Sequence, residues 1–258
     1  MISFVSLLGA AWFLAYAPLD QATPADVDSL LADPRWRALS QGERLDALTR
    51  LRIGTPYELG CLGEEKPPDA DPLFRLDRAD CTVFVLTQAA LLRAGSVEEA
   101  RQAMIDLHYR GGQVDYRHRY HFTTDRILSS PSFEEITAEA VPESLLHAVA
   151  VVLNRTAEGK ELLPLSWERA VVVRYLPAGL LTEEVLRRLP PACGVAFVRE
   201  ENGARGFLVS HEGILLGGLT LVHASSRAGE VAAVPLLEHV RGGDGGSSCD
   251  GVLFFRFR

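Results

Sequence analysis

The sequence predicts an α+β fold in which a helix opening on a cysteine packs against an antiparallel sheet that carries histidines. Three observations lead there. From Thr82 to Ala94 there is neither Pro nor Gly, and the residues are apolar round most of a helix circumference, the pattern of a helix that runs through a core. Beyond Cys193 the chain breaks into strand-length apolar runs separated by Gly- and Asn-bearing turns, the pattern of an antiparallel meander. Two histidines, His211 and His223, fall on neighbouring arms of one hairpin in that meander.

The chain has 258 residues, of which 47% are hydrophobic, enough for one substantial core. We read one domain, residues 23–258, preceded by an N-terminal apolar segment or signal peptide, residues 1–22. The run Met1–Ala17 is almost unbroken in its apolar character and closes on Ala15-Tyr16-Ala17, a small-x-small cleavage pattern. It therefore points to export, to the periplasm or cell envelope. It lacks Lys and Arg, carries Pro18 just past the cut, and is shorter than the ~20 residues of a spanning helix; a short anchor and an incorrectly assigned start are the rival readings. No integral membrane domain is expected beyond that signal. The net charge of −8 and the lack of a basic cluster exclude an electrostatic nucleic-acid footprint. Four cysteines are too few for a disulfide scaffold of this size. If Cys81 stays a thiol, at most one pair can form among Cys61, Cys193 and Cys249.

Residues 18–52 read as a helical lead-in, in which Leu39, Leu45, Leu48 and Leu51 mark an apolar face. The stretch Ile53–Gly60 is a turn built on Pro56 that presents the Tyr57 hydroxyl, and a charged, proline-rich loop, Glu64–Pro72, follows. Asp80 is a preferred N-cap, so a helix opens at Cys81 and stops at Gly95. Ser96-Val97-Glu98-Glu99 is a capping box that starts a second helix, ending near Tyr109. Val114–Phe122, dense in Tyr, Arg and His, reads as an extended piece or a loop. Residues 141–153 and 168–176 are β-rich, and Leu180–Leu189 is a short helix capped by Thr182. Strands follow at Gly194–Arg199, Gly206–Leu216 and Leu219–Ala224, with turns at Glu200–Gly203 and Gly217-Gly218. Gly242–Gly246 reads as a flexible tail and Val252–Phe257 as an edge strand.

The chemistry centres on Cys81. At the first position of a helix its sulfur lies at the positive end of the helix dipole, beside backbone N–H groups with no intrahelical partner, and both favour thiolate. Cys81 is therefore expected to be a nucleophile, thiolate-rich near neutral pH, with its own N–H as an oxyanion donor. Counting outward from Gly217-Gly218 brings His211 and His223 close across the hairpin. A nucleophile needs a base, and the base needs a third group that fixes its tautomer; His211 fills the first role and His223 the second. Cys, His and His also suit zinc. A thiol on a helix tip, with no acidic fourth partner near in sequence, favours the nucleophile, so no metal and no cofactor are assigned. Arg119 and His121, in the aromatic stretch, are candidates to hold substrate by hydrogen bonds and to pair with a carboxylate.

Asp80-Cys81 before an apolar helix, then Val209–Leu215 around His211, then Val222-His223-Ala224-Ser225, together resemble the NlpC-type branch of the papain-like cysteine hydrolases. A closer resemblance is to the N-acetylmuramoyl-L-alanine amidase-like family. The residues that carry it are the turn Thr55-Pro56-Tyr57, the helix start at Asp80-Cys81 and the stretch Arg119-Tyr120-His121-Phe122, and it spans roughly residues 53–240. The sequence departs from that family at Leu86, where Glu is usual, at Thr82-Val83, which inverts the usual order, and at Cys193-Gly194, where Gly-Asp is common. The resemblance implies a papain-like fold, Cys81 as nucleophile, His211 as base, His223 as third member, and Tyr57 as a hydroxyl near the oxyanion or substrate. It also implies a peptidoglycan peptide, or a related small amide, as the partner. Three functions are carried forward: a cysteine amidase or peptidase, an acyltransferase using the same thioester, and a non-catalytic module that keeps the cleft.

Overall fold

A computed structural model of the chain describes residues 15–63, 73–242 and 249–258. Near the N-terminus three helices follow one another, α1 (Pro24–Ala32), α2 (Pro34–Ala38) and α3 (Gln41–Arg50).

Each opens on a side chain that accepts from an otherwise unpartnered N–H. Thr23 and Asp26 form a reciprocal box on α1, Asp33 caps α2, and Ser40 and Glu43 form a second box on α3. Their apolar faces, with Leu30, Leu31, Trp36, Leu45 and Leu48, are buried.

Two longer helices follow, α4 (Cys81–Leu92) and α5 (Val97–His108). Asp80 Oδ1 accepts from the Val83 N–H at 2.8 Å and Oδ2 from the Gly60 N–H at 3.1 Å. One carboxylate thus caps α4 and ties down the turn that precedes it. Every residue from Val83 to Leu92 is buried, as an all-round apolar helix requires. The chain then forms α6 (Thr123–Ser129), β1 (Phe133–Glu135), α7 (Thr137–Ala140), β2 (His147–Leu153), β3 (Arg169–Pro177), α8 (Glu183–Leu186), β4 (Ala192–Val198), β5 (Val209–Leu216), β6 (Thr220–Ser225), β7 (Glu230–Pro235), α9 (Leu236–Val240) and β8 (Gly251–Phe257).

The strands make one antiparallel sheet in the order β2-β3-β8-β4-β5-β6-β7, with β1 added alongside β8. Helix α4 packs against β5 and β6, and its apolar residues join Ile214, Leu216 and Val222 in the larger core. A second core on the opposite face collects Val195, Phe197, Leu215 and Leu221 with Leu186, Leu236 and Val240 from the short helices. Strand β4 is buried along its whole length. At Gly194 a side chain would meet the Phe255 ring of β8 at 2.2 Å, so only glycine lets the two central strands pack this closely.

Three expectations change. Val252–Phe257 is not an edge strand: β8 lies between β3 and β4, also pairs with β1, and is buried at six of its seven positions. Apolar residues at both parities of Val-Leu-Phe-Phe demand cover on both faces, which an edge does not provide. The turn expected at Glu200–Gly203 is a helical turn spanning Glu200–Arg205, and β5 begins only at Val209. The segment Glu143–Leu145 is a helical turn rather than strand. The loop expected at Glu64–Pro72, most of the N-terminal apolar run and most of the Gly242–Gly246 tail lie outside the described residues. Among the described residues no helix is long and apolar enough to cross a membrane.

Candidate active site

The end of α4 and the middle of β5 meet at one point. The Cys81 sulfur lies beside the Glu212 backbone N–H, so the nucleophile candidate sits against the strand one residue beyond His211. Cys81 and His211 both line a cavity of about 860 Å³ that also exposes Tyr57, Phe197, His223 and His239. They also share a smaller cavity of about 260 Å³, with His121, Thr123, Leu163 and Phe207. Two spaces therefore adjoin the same pair of residues.

Local strand geometry places the histidines. β4 and β5 pair Phe197 with His211 and then Val198 with Val209, so a bulge falls at Ser210, next to His211; such bulges re-aim the neighbouring side chain. The ladder between β5 and β6 covers Ile214–Leu216 and Thr220–Val222, and continuing its register sets Gly213 opposite His223. A side chain at Gly213 would approach the His223 Cβ to 3.0 Å and the Val222 carbonyl oxygen to 2.8 Å. Only glycine at this position lets β5 and β6 approach this closely beside His223. The outcome is a hydrogen bond of 2.7 Å between His211 Nε2 and His223 Nδ1, with the rings nearly perpendicular. His211 also stacks on Phe197 at 5.5 Å between ring centres.

Alternation along β5 sends Glu212 to the other face. Its buried carboxylate accepts from Thr82 Oγ1 at 3.0 Å, Thr123 Oγ1 at 3.1 Å and Arg126 Nη2 at 2.5 Å. It links the first turns of α4 and α6 to the strand that carries His211.

The electrostatics correct one expectation. Rather than favouring thiolate, the site pushes the Cys81 thiol well above its ordinary value, through burial first and then the Asp80 and Glu212 carboxylates. Cys81 touches the cavity, but protein surrounds the rest of the side chain, and two nearby acids oppose the helix dipole. His211 is pushed well below its ordinary value by burial and by the neighbouring His223 and His239. The resting pair is therefore neutral thiol and neutral imidazole. Burial, with Cys81 and Asp80 nearby, raises Tyr57, which keeps its phenol protonated and able to donate.

The turn bearing Tyr57 is stitched between the start of β7 and the segment that leads into α4. The Tyr57 N–H donates to the Gly229 carbonyl at 2.9 Å, and the Ala79 N–H donates to the Pro56 carbonyl at 3.0 Å. His121 lines the smaller cavity; its Nε2 donates to the Tyr116 carbonyl at 2.6 Å, and burial lowers its pKa to about 4. Arg119 lines neither cavity. Its guanidinium is buried, with Nη2 donating to the Leu62 carbonyl and the Tyr109 hydroxyl at 3.4 Å each, so the structure sets it behind the site rather than against substrate.

The profile of the N-acetylmuramoyl-L-alanine amidase-like family matches residues 47–246. The chain belongs to that family. A Legionella pneumophila protein shares its fold at a TM-score of 0.74 and 19% identity, covering 91% of this chain and 94% of that one. An N-acetylmuramoyl-L-alanine amidase from Bacteroides uniformis gives 0.66 and 21%, covering 84% and 99%. At these identities the likeness establishes the fold alone. No protein with a curated description matches the sequence significantly.

Two residues of this amidase-like chain escaped the sequence reading. His239, on α9, is buried and packs its ring 4.8 Å from that of His223 and 5.1 Å from that of Phe197. It sits on a five-residue helix with no periodicity to read, so nothing local pointed to it. Glu212 did leave a signal: if His211 faces a cavity, its neighbour must point into the core between Thr82 and Ile214, and a carboxylate there needs a buried cation.

Proposed function

We propose that the protein is an exported cysteine-dependent amide hydrolase of the NlpC-type, papain-like kind. Its substrate is the amide between an N-acetylmuramoyl group and L-alanine in cell-wall peptide, or a closely similar N-acyl amide. The observation that carries the reading is the 2.7 Å bond from His211 Nε2 to His223 Nδ1, beside a cysteine that opens a helix in the same cavity. We assign the tautomer in which His211 Nε2–H donates to His223, which leaves the His211 Nδ1 lone pair to accept a proton.

As the Cys81 sulfur attacks the carbonyl carbon, its proton passes to His211 Nδ1. The resting thiol and imidazole are both neutral, so proton transfer accompanies attack instead of preceding it. The oxyanion is met by the Cys81 backbone N–H, which has no acceptor inside the helix, and by the Tyr57 hydroxyl. The imidazolium, held by His223, then protonates the leaving amine as the C–N bond breaks. A thioester remains on Cys81. Water, deprotonated by His211, cleaves it and restores the thiol. The two cavities flanking Cys81 suit the two sides of the scissile bond. The export part of the proposal rests on the apolar run Met1–Ala17.

The test is to incubate the pure protein with peptidoglycan fragments and read the products by mass. The expected result is one water added across the amide with the wild type and none with Cys81→Ala. Products joined to an added amine would make it an acyltransferase; equal products from both proteins would overturn the nucleophile.

A further inference from the structure

We propose that His211, His223 and His239 form a binding site for a transition-metal cation that prefers imidazole, Zn²⁺ above all, and that filling it switches the hydrolase off. The inhibitory half rests on the reading of His211 as base; the binding half does not.

The three histidines come from β5, β6 and α9, and one ring nitrogen of each lies within 4.8 Å of one from each of the others. This set differs from Cys81, His211 and His223, the set weighed for zinc from sequence, because the helix-tip cysteine is replaced by a third imidazole. All three rings line the 860 Å³ cavity, so a cation has a route in and a fourth position for water. Three neutral nitrogens with one open position are an established zinc environment. The rings are also backed by one rigid wall: Phe197 stacks on His211 and meets His239 edge-on. His239 is buried in this cluster, yet no step of amide hydrolysis uses it.

Zinc binds imidazole nitrogen at about 2.0–2.1 Å, which sets tetrahedral neighbours about 3.3 Å apart. His211 Nε2 and His223 Nδ1, at 2.7 Å, would open by roughly half an ångström, while the wider spacing to His239 would close. Both are side-chain movements. The chemical consequence follows from the tautomer. With the cation on Nε2, the single ring proton of His211 moves to Nδ1, the atom that accepts from the Cys81 thiol. The base is then lost without any change in net protonation.

The experiment uses chelator-treated full-length protein, titrated with Zn²⁺ by calorimetry and with Co²⁺ by visible absorption. One equivalent should bind, with a four-coordinate cobalt spectrum lacking a thiolate charge-transfer band. His239→Gln should weaken binding at least tenfold, and Cys81→Ala should leave it unchanged. The site is overturned if the wild type binds no stoichiometric cation, if His239→Gln binds equally well, or if a thiolate band appears. Should His239→Gln fail to fold, the wild-type cobalt spectrum still decides. For active protein, saturating Zn²⁺ should stop hydrolysis and chelator restore it; full activity with the site filled overturns the inhibitory half. A protein that binds zinc but hydrolyses nothing would keep the site and discard the hydrolase.

Discussion

The two faces of β5 hold their polar residues in opposite ways. On one face Glu212 is locked by a buried guanidinium and two hydroxyls from α4 and α6. On the other, His211 keeps one side-chain hydrogen bond, to His223, and otherwise lies against an aromatic ring at the edge of a cavity. The locked face fixes where Cys81 and His211 stand. The looser one leaves the second ring nitrogen of His211 free of such a lock, as the proton transfer we propose requires. Rigidity and reactivity are thus separated by a single residue of a strand.

The sharpest way to break that comparison is to substitute neighbours. His211→Ala should lower kcat/KM by at least 10⁴, about 5.5 kcal/mol of transition-state stabilisation, with a Tm near that of the wild type. Glu212→Ala should instead cost about 3–5 kcal/mol of stability, because Arg126 would be left buried without its carboxylate. For a chain of this size that is a fall in Tm of roughly 10 °C. Thermal melts and steady-state kinetics on the same preparations would check both. A stable Glu212→Ala, or an active His211→Ala, would mean that the two faces are not specialised as described. Between these extremes, His223→Asn retains an acceptor for His211 Nε2–H and should lose only about 10- to 100-fold in rate.

The elements that frame the locked face were readable from local signals, whereas the Glu212 bonds to Thr82, Thr123 and Arg126 join distant parts of the chain. Asp80 as cap, the apolar run behind Cys81 and the hairpin at Gly217-Gly218 each act within a few residues, and each forms as expected. The looser face depended on contacts between distant parts of the chain. His239 reaches the site only because α9 folds back after β7, and Phe197 reaches it from β4. Strand β8 was misplaced because a glycine-rich stretch before it suggested a loose end, whereas its apolar residues at both parities already called for a central position. The thiolate expectation failed for a related reason: the helix end is local, but Glu212, one of the acids opposing it, comes from a strand 131 residues later.

A smaller effect separates two residues that lie two apart. Arg119 is buried behind the site, while His121 lines the smaller cavity. Arg119→Ala should therefore destabilise the protein, by roughly 2 kcal/mol, with kcat/KM of the folded fraction within about threefold of the wild type. His121→Ala should lower kcat/KM about tenfold through KM and leave alkylation of Cys81 by a small reagent unchanged. The reverse pattern would put the guanidinium, rather than the imidazole, at the substrate.

The smallest effect per step is in pH, and its sign follows from burial. His108 is lowered to about 3 and His121 to about 4, chiefly by desolvation, and His211 lies well below its ordinary value for the same leading reason. In the unfolded chain each titrates near 6.5. Between those values the unfolded state holds protons that the folded state refuses, so stability is fully present above about pH 6.5 and falls as pH drops toward 4. Each histidine can contribute at most about 1.4 kcal/mol per pH unit in that window. Asp77, lowered to about 2 by its bonds to Arg75, loses its contribution only below pH 4, outside the window. Asp80, raised by burial, works in the opposite direction and blunts the slope. Tm measured from pH 7.5 to 5 should therefore fall steadily, and His108→Gln, which removes one buried histidine that lines neither cavity, should make the decline shallower. A Tm that holds level or rises over that range would show that these imidazoles take up their protons while still folded, and His211 would then be a base already protonated near neutrality.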